Sequence, residues 1–324
     1  MQITSSLANA LTPTAVALGN FDGIHQGHSQ VIRPVLSSPF TTAGSAVPTV
    51  VTFNPHPQEF FSGQPRCLLT PIAEKAFYLE QMGIQQLVLL PFNRELAQLT
   101  PLQFVEEILI QGLQVKQISI GQDFCFGQGR AGTAEMLQAI AEHHGITVAI
   151  APLKLLQATR VSSSAIRQAL QAGDLQAANA ALGRAYSLVG EVVKGQQLGR
   201  TLGFPTANLR LPPEKFLPHQ GVYAVRVQIC DRAELHLTCN AQSWPGVMNL
   251  GHRPTVEGTQ LIAEVHLFDW TGDLYGKTLV VNLEAFIRPE QKFNSLEQLK
   301  AQIQQDCKAA IAHLTPPPTA PSPL

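Results

Sequence analysis

The sequence predicts an α/β chain whose first part is a parallel sheet with helices on both faces and whose second part is a small antiparallel β-barrel followed by a C-terminal helix. Three observations carry this. From residue 14 to about residue 183, short β-branched or leucine-rich runs alternate with segments of helical period, the rhythm of βαβ units. From Tyr186 onward the pattern changes to short strands between Gly/Pro turns, several alternating with a period of two. At 324 residues the chain exceeds what one hydrophobic core usually serves, so two domains are expected.

In chain order, AVALG, VPTVVTF, IQQLVLLPF, VKQISIG and ITVAIAPL are nearly uninterrupted apolar runs, as strands covered on both faces require. Between them HSQVIRPVL, PIAEKAFYLEQMG, TPLQFVEEILIQGL and TAEMLQAIAEHHG carry helical spacing. VSSSAIRQALQAG and DLQAANAALG follow, each ending in a glycine suited to the left-handed residue that stops a helix. In the second part LVGEVVKG, GVYAVRVQIC, ELHLTCNAQ, GVMNLG, IAEVHLFDW and KTLVVNLEAFI read as strands. SLEQLKAQIQQDCKAAIAHL reads as one long amphipathic helix, with Ser295 and Gln298 spaced as a capping box. The tail TPPPTAPSPL can neither continue a helix nor bury anything, so disorder is expected there. The expected division is 1–185, 186–314 and a Pro-rich tail at 315–324.

Composition excludes several partners. The net charge is -1 and 14% of residues are charged, which leaves no broad basic face for nucleic acid. Five cysteines, odd in number and without a CxxC pair, argue against a disulfide framework and a cysteine-rich zinc site, and fit a reducing cytoplasm. No basic segment precedes an apolar one at the N-terminus, and no apolar run reaches the ~18 residues of a membrane span. A soluble cytoplasmic protein with no membrane partner is expected; a homo-oligomer stays open.

GNFDGIHQGH, residues 19–28, ends the first of these strands and begins a helix. At such a junction backbone N–H groups and the helix dipole favour an anion. Gly19 and Gly23 allow close approach to a ligand, with Phe21 and Asp22 between them. His25 and His28 can donate to phosphate oxygens and so stabilise charge that builds on an α-phosphate during in-line displacement. A plain turn with incidental histidines is a competing reading. So is a zinc pair, which lacks a third ligand at metal spacing nearby.

At the far end of the same part, RVSSSAIR (160–167) places Ser162, Ser163 and Ser164 at a helix start with Arg167 one turn on. Any one serine is an ordinary N-cap. With Arg167 the segment becomes a second anion grip, suited to the β- and γ-phosphates that leave together as pyrophosphate.

GNFDGIHQGH together with VSSSAIR resembles the adenylyltransferase half of the prokaryotic bifunctional riboflavin kinase/FAD synthetase family, a branch of the nucleotidyltransferase superfamily. TFNPHPQEFF (52–61) and GQDFCFGQGRAG (121–132) resemble that family's internal motifs. Many relatives have Thr at the position of Ser164, and Ser keeps the hydroxyl. The resemblance implies a Rossmann-like nucleotidyltransferase domain, with Asn54 and His56 near flavin mononucleotide (FMN) or the ATP phosphates. It also implies Asp123, Phe126 and Arg130 along the flavin and nucleotide clefts. Without it, DFCFGQGR reads as a glycine-rich loop with core aromatics.

GQQLGRTLGFPTANL, residues 195–209, has glycines that free a loop to fold over a nucleotide and Pro205 to stiffen the turn. Thr206 and Asn208 offer two neutral oxygens at i, i+2, suited to a Mg²⁺ that keeps most of its waters and is otherwise held by ATP phosphates. On composition alone a glycine-rich hairpin with a buried threonine is the simpler reading. PTAN after LGF resembles the riboflavin kinase signature, which makes Gly195, Gly199, Arg200, Gly203 and Pro205 candidates for ATP and flavin binding. MNLGHRPTV (248–256), AEVHLFDWTGDLYGK (263–277) and EAFIRPEQKFNSLEQL (284–299) follow in the order and spacing of that module.

Glu264 sits on an alternating strand, so Ala263 and Val265 should face the other way. Phosphorylating riboflavin requires its ribityl hydroxyl to lose a proton as it attacks the γ-phosphate. The family's catalytic base maps onto Glu264, with Glu284 the nearest rival. Arg288 resembles the flavin-side residue after the last barrel strand; a surface salt bridge is its plainer role.

The resemblance spans residues 14–314 and implies two reactions in one chain. The barrel transfers the γ-phosphoryl of ATP to riboflavin, giving FMN. The α/β domain then lets the FMN phosphate attack the α-phosphorus of a second ATP, giving FAD and pyrophosphate. A phosphate monoester dianion is already a nucleophile, so positioning and charge stabilisation should supply most of the rate. Riboflavin, FMN, ATP and Mg²⁺ are the expected partners. Two alternatives remain at this stage: another adenylyl- or cytidylyltransferase fused to a barrel of unknown purpose, and a flavin-sensing barrel that binds without catalysis.

Overall fold

The computed structural model describes residues 1–315, apart from 196–198, 200, 201, 234, 256 and 257 and the side chains of 252–261. The candidate Arg200 and the expected disorder over 316–324 lie outside the described residues. By packing, the chain divides into two units, Met1–Ala165 and Ile166–Leu324.

The first unit is built on six parallel strands: β1 (Gln2–Thr4), β2 (Thr14–Leu18), β3 (Val47–Asn54), β4 (Gln86–Pro91), β5 (Val115–Gly121) and β6 (Thr147–Ala151). Their order across the sheet is β1-β4-β3-β2-β5-β6. The helices are α1 (Gln26–Leu36), α2 (Pro39–Thr42), α3 (Pro57–Ser62), α4 (Ile72–Gln81), α5 (Arg94–Gln98), α6 (Pro101–Gln103) and α7 (Ala134–His143). The wholly buried TAVAL of β2 shows why the strands read as continuous apolar runs. Val16 and Leu18 pack with Val105, Leu109 and Leu137 on one face, and Ala15 and Ala17 with Val31, Ile32 and Leu79 on the other. Each fully buried leucine or valine contributes roughly 1.5–3 kcal/mol. TPLQFVEEILIQGL is helical, but only its first turn is α. From Phe104 to Gly112 it is a π-helix, and the Leu113 N–H reaches back to the Ile108 carbonyl at 3.1 Å.

Strand order reverses at β2, which has β3 on one side and β5 on the other. Chains leaving β2 and β5 therefore diverge and open a crevice at their C-terminal ends. A short hairpin, β7 (Leu155–Leu156) and β8 (Thr159–Arg160), precedes α8 (Ser163–Ala172), whose first turn belongs to this unit.

In the second unit α9 (Leu175–Leu182) ends at Gly183, φ 75°, and packs on the barrel. The barrel strands are β9 (Tyr186–Val193), β10 (Ala207–Arg210), β11 (Gly221–Ala233), β12 (His236–Thr255), β13 (Gly258–Leu267) and β14 (Thr278–Pro289). They close antiparallel in the order β10-β13-β12-β11-β14-β9, with β9 pairing back to β10. Val225, Met248, Leu250, Ala263, Val281 and Leu283 fill the interior. The last helix, α10 (Leu296–Leu314), lies on the outer face, Ala310 and Leu314 meeting Val222, Ala224 and Val247. Its Ser295 cap accepts the Gln298 N–H at 3.2 Å, but Gln298 Oε1 takes the N–H of Asn294, one residue further out than a capping box needs.

Three expectations need correction. ELHLTCNAQ and GVMNLG are one strand, β12: Pro245 sits opposite Arg226, and Gly246 lets β13 come so close that a Cβ would lie 2.5 Å from the His266 carbonyl. Part of PTANL is a strand, β10, and not only a loop. The cysteines do not all stay separate. Cys230 and Cys239 face each other across β11 and β12 and form a disulfide, a pairing set by hairpin register, which a search for CxxC does not see. Cys67, Cys125 and Cys307 are free. Among the described residues no helix is long and apolar enough to cross a membrane.

Candidate functional site

A cleft of about 1040 Å³ opens in the first unit where the strand order reverses. Its floor is the turn between β2 and α1, which takes a left-handed path at Phe21 (φ 48°), Gly23 (φ 92°) and Ile24 (φ 43°). For phenylalanine and a β-branched isoleucine such a conformation costs on the order of 1–3 kcal/mol each, so the surroundings must impose it. The Thr52 hydroxyl donates to the Asn20 carbonyl at 3.0 Å and the Ser163 hydroxyl to the Asp22 carbonyl at 2.7 Å. Thr70 ties in from the loop before α4: its hydroxyl accepts the Gly23 N–H at 2.9 Å and its own N–H donates to Asp22 Oδ1 at 3.2 Å.

This path delivers His25 as the N-cap of α1. The His28 N–H donates to His25 Nδ1 at 3.2 Å and the His25 N–H to His28 Nδ1 at 3.4 Å, a reciprocal cap. The rings stack with centroids 3.6 Å apart, and Phe21 meets His28 edge-on at 5.2 Å. Because each Nδ1 accepts a main-chain N–H, each neutral ring carries its proton on Nε2 and offers a donor there. Gly27, absent from the sequence candidates, makes room for this: a Cβ would stand 3.1 Å from His25 Cε1.

Gly19, Phe21, Asp22, His25, His28, His56, Asp123, Phe126, Arg130, Ser162, Ser163 and Ser164 all line the cleft. Gly23, Asn54 and Arg167 are not on its wall. Gly23 spends its N–H on Thr70, and Asn54 is exposed at the end of β3, its carbonyl accepting the Phe92 N–H at 3.1 Å. The Arg167 guanidinium stands 4.8 Å over the Phe216 ring. Phe126 also serves the core: it packs on Phe104 and Phe124, and a Cβ at Gly132 would come within 2.7 Å of its ring. Asp123 forms an ion pair with Arg160. The sequence reading missed Arg160, Lys154 and the aromatic rim of Phe61 and Phe92, whose rings meet edge-to-face at 5.7 Å. The doubled aromatic in QEFF was the available signal for that rim.

A second pocket, about 340 Å³, lies in the second unit between the outer face of the barrel and α10. Glu264 on β13 is in register with Asn208 on β10 and Asn249 on β12. Ala263 and Val265 point into the barrel, fully buried, as alternation requires. The rival Glu284 is exposed on β14 and is not on the pocket wall. Thr206 lines the pocket. Two glycines make close approaches beside it: a Cβ at Gly195 would fall 2.3 Å from Asn208 Nδ2, and one at Gly199 would fall 2.4 Å from the Phe204 carbonyl. Gly203 takes φ 89° with open space around it. The Pro205 carbonyl accepts from His266 Nδ1 at 2.8 Å.

Arg288 is no surface salt bridge. Its Nε and Nη2 donate to the two oxygens of Asp306 on α10 at 2.8 and 2.7 Å, with side chains 15% and 6% exposed. Gln302 donates to the same carboxylate at 3.0 Å. Burial, and then Asp306, push the neighbouring Cys307 thiol up to about 11. Asp306 and Glu290 line the pocket and were missed, since charges on an amphipathic helix and after a strand read as solvated.

The donor chemistry around Glu264 fits a hard cation: the oxygens of Thr206, Asn208 and Asn249 are neutral, and one carboxylate stands among them. Among the described residues no group of three His, Cys, Asp or Glu could cage a metal. So sparse a set suits an ion that keeps waters and takes phosphate oxygens as its remaining ligands.

A parallel-sheet cleft at a helix start and a barrel pocket pairing a carboxylate with neutral oxygens are two candidate sites, as an ATP-dependent transferase with two activities needs. Residues 7–165 match the FAD synthetase family and residues 182–314 the riboflavin kinase family. The bifunctional riboflavin kinase/FMN adenylyltransferase of Haemophilus influenzae is 38% identical over 316 residues, 96% of this chain and 99% of that one. Its counterpart in Pseudomonas fluorescens is 40% identical over 322 residues, 98% and 99%. The chain belongs to the bifunctional riboflavin kinase/FMN adenylyltransferase family. Among solved structures, one described as a macrolide-efflux protein from Streptococcus pneumoniae matches with a TM-score of 0.81 and 30% identity, over 97% of this chain and 99% of that one. The chain is a transferase with both activities, and its use of ATP implies a divalent metal ion.

Proposed function

We propose the following division of labour among the residues. In the α/β cleft, the Nε2–H groups of His25 and His28 and the turn wall of Gly19, Phe21 and Asp22, whose path Gly23 shapes, receive the ATP phosphates, stabilising the charge that grows on the α-phosphate. Ser162, Ser163, Ser164 and Arg167 take the departing pyrophosphate. FMN lies along His56, Asp123, Phe126 and Arg130, with Asn54 at the edge, and its own phosphate is the nucleophile.

In the barrel pocket Glu264 accepts the ribityl hydroxyl proton as that oxygen attacks the γ-phosphate. Thr206 and Asn208 hold Mg²⁺, which when bound supplies positive charge to the phosphate oxygens. The loop of Gly195, Gly199, Arg200, Gly203 and Pro205 covers ATP, and Arg288, braced by Asp306, faces the flavin. The observation that carries this reading is the register of Glu264 between Asn208 and Asn249 on three hydrogen-bonded strands.

The functional boundary is proposed at 185/186, so that α8 and α9 serve the adenylyltransferase although packing groups Ile166 onward with the barrel. The proposed location is the cytoplasm, where Cys230 and Cys239 would stand as facing thiols, and no nucleic acid or membrane partner is proposed. The test is a time course: purified chain with riboflavin, ATP and Mg²⁺, yellow products separated by chromatography. FMN first and FAD second, with both lost when Mg²⁺ is chelated and restored by adding it back, is the expected outcome. FAD absent at all times, or riboflavin left unphosphorylated, refutes it.

A further inference from the structure

Among the described residues, Lys75 is a buried cation that the proposed mechanism leaves unused. Lys75 on α4 is 5% exposed, yet it reaches the underside of the turn that carries the histidines. Its Nζ donates to the Asn20 carbonyl at 2.8 Å and lies 3.4 Å from the Thr52 hydroxyl, and the Asp22 carboxylate attracts it electrostatically. A buried ammonium is costly unless it is hydrogen-bonded and paired. Here the partners belong to the turn or to the strand beneath it. The same turn runs left-handed at Phe21, Gly23 and Ile24, a path that persists only where several contacts impose it. Thr52, Thr70 and Ser163 supply neutral ties; Lys75 adds a charged one and joins α4, β3 and the turn at a single atom.

We propose that Lys75 is a positioning residue for adenylyl transfer: from beneath the Asn20–Ile24 turn its ammonium holds the Asn20 carbonyl and attracts the Asp22 carboxylate, and so keeps the backbone path that delivers the His25 and His28 rings to the cleft. This rests on the reading of that cleft as the adenylylation site. A glycine or serine substitution would disturb the phosphate contacts themselves, whereas Lys75 acts on where they stand.

Burial lowers the ammonium from 10.5 to about 8, against the pull of Asp22. The other titratable groups on the elements around it are His25 at the cap of α1, His28 and Arg33 on that helix, and Glu74, Tyr78 and Glu80 on α4; β2 and β3 contribute none. The charged tie is complete well below pH 8 and is lost as pH rises through that value.

Lys75→Met keeps length and apolar bulk while removing donor and charge. On one preparation, adenylylation of supplied FMN and phosphorylation of riboflavin are both measured, with kcat and KM for each, beside Lys75→Arg and His28→Ala. The expected result is a fall of about a hundredfold in adenylylation kcat for Lys75→Met, a kinase step within about twofold of the unmodified protein, and partial recovery in Lys75→Arg. A Lys75→Met protein that folds and adenylylates within about threefold of normal overturns the proposal. If Lys75→Met does not fold, the unmodified protein decides. An alkaline fall in adenylylation kcat near pH 8, missing from the kinase step and shifted upward in Lys75→Arg, supports it; a flat adenylylation profile from about pH 7 to 9.5 overturns it. Undiminished adenylylation in His28→Ala would instead defeat the reading of the cleft.

Discussion

The two proposed sites of this chain would meet the same ligand class with different materials. The α/β cleft draws on main-chain geometry: a strained turn, a helix start and two rings locked by backbone N–H groups. The barrel pocket draws on strand register, with Asn208, Glu264 and Asn249 side by side on a closed sheet and glycines cut away where a Cβ would collide. A turn can be deformed from beneath, through residues that never touch a substrate. A register in a closed barrel has no free edge to slip along, so its site should respond mainly to what is changed in the wall itself.

Four experiments probe that contrast. The largest effect is expected from Glu264→Gln, which removes the proposed base and keeps the shape: riboflavin phosphorylation should fall by about 10²–10⁴-fold while adenylylation of supplied FMN stays unchanged. A matching loss in both steps would mean that the sites are not independent. His28→Ala should lower FAD formation from FMN by about 10²–10³-fold and leave the kinase step alone, measured by pyrophosphate release. Gly195→Ala places a methyl 2.3 Å from Asn208 Nδ2. It should reduce kcat/KM for ATP in the kinase step about tenfold, with unchanged adenylylation, because a misplaced oxygen weakens orientation; full kinase efficiency would show that the wall yields more easily than argued.

The smallest effect concerns the seam between barrel and α10. With its thiol raised to about 11, Cys307 should hold a thiolate fraction at pH 8 about a hundredfold below that of an ordinary thiol. Alkylation followed by mass spectrometry should therefore mark exposed Cys67 first. Equal rates at the two positions would indicate a helix that opens freely.

Legibility followed the same contrast. Strands buried on both faces gave unbroken apolar runs, so β2 to β5 could be read directly, whereas β1 is three residues long and shows no period. Pro245 and Gly246 looked like a turn because local composition cannot reveal a neighbouring strand that needs the space. The histidines and serines of the cleft were visible as motifs at a strand–helix junction. What holds them was not. Lys75 lies in PIAEKAFYLEQMG, where helical spacing suggests a solvated charge, and only the packing of α4 against the turn buries it. In the same way the Arg288–Asp306 pair joins a strand to a helix eighteen residues on, beyond any local pattern.

The reciprocal cap of His25 and His28 ties the two rings into one unit. Each Nδ1 receives the other residue's main-chain N–H, and the rings stack 3.6 Å apart. A change at either histidine therefore strips the helix start of half its cap as well as removing an imidazole, and the surviving ring loses its stacking neighbour. Losses at two such coupled positions do not add, so each single variant should be nearly as impaired as the pair changed together.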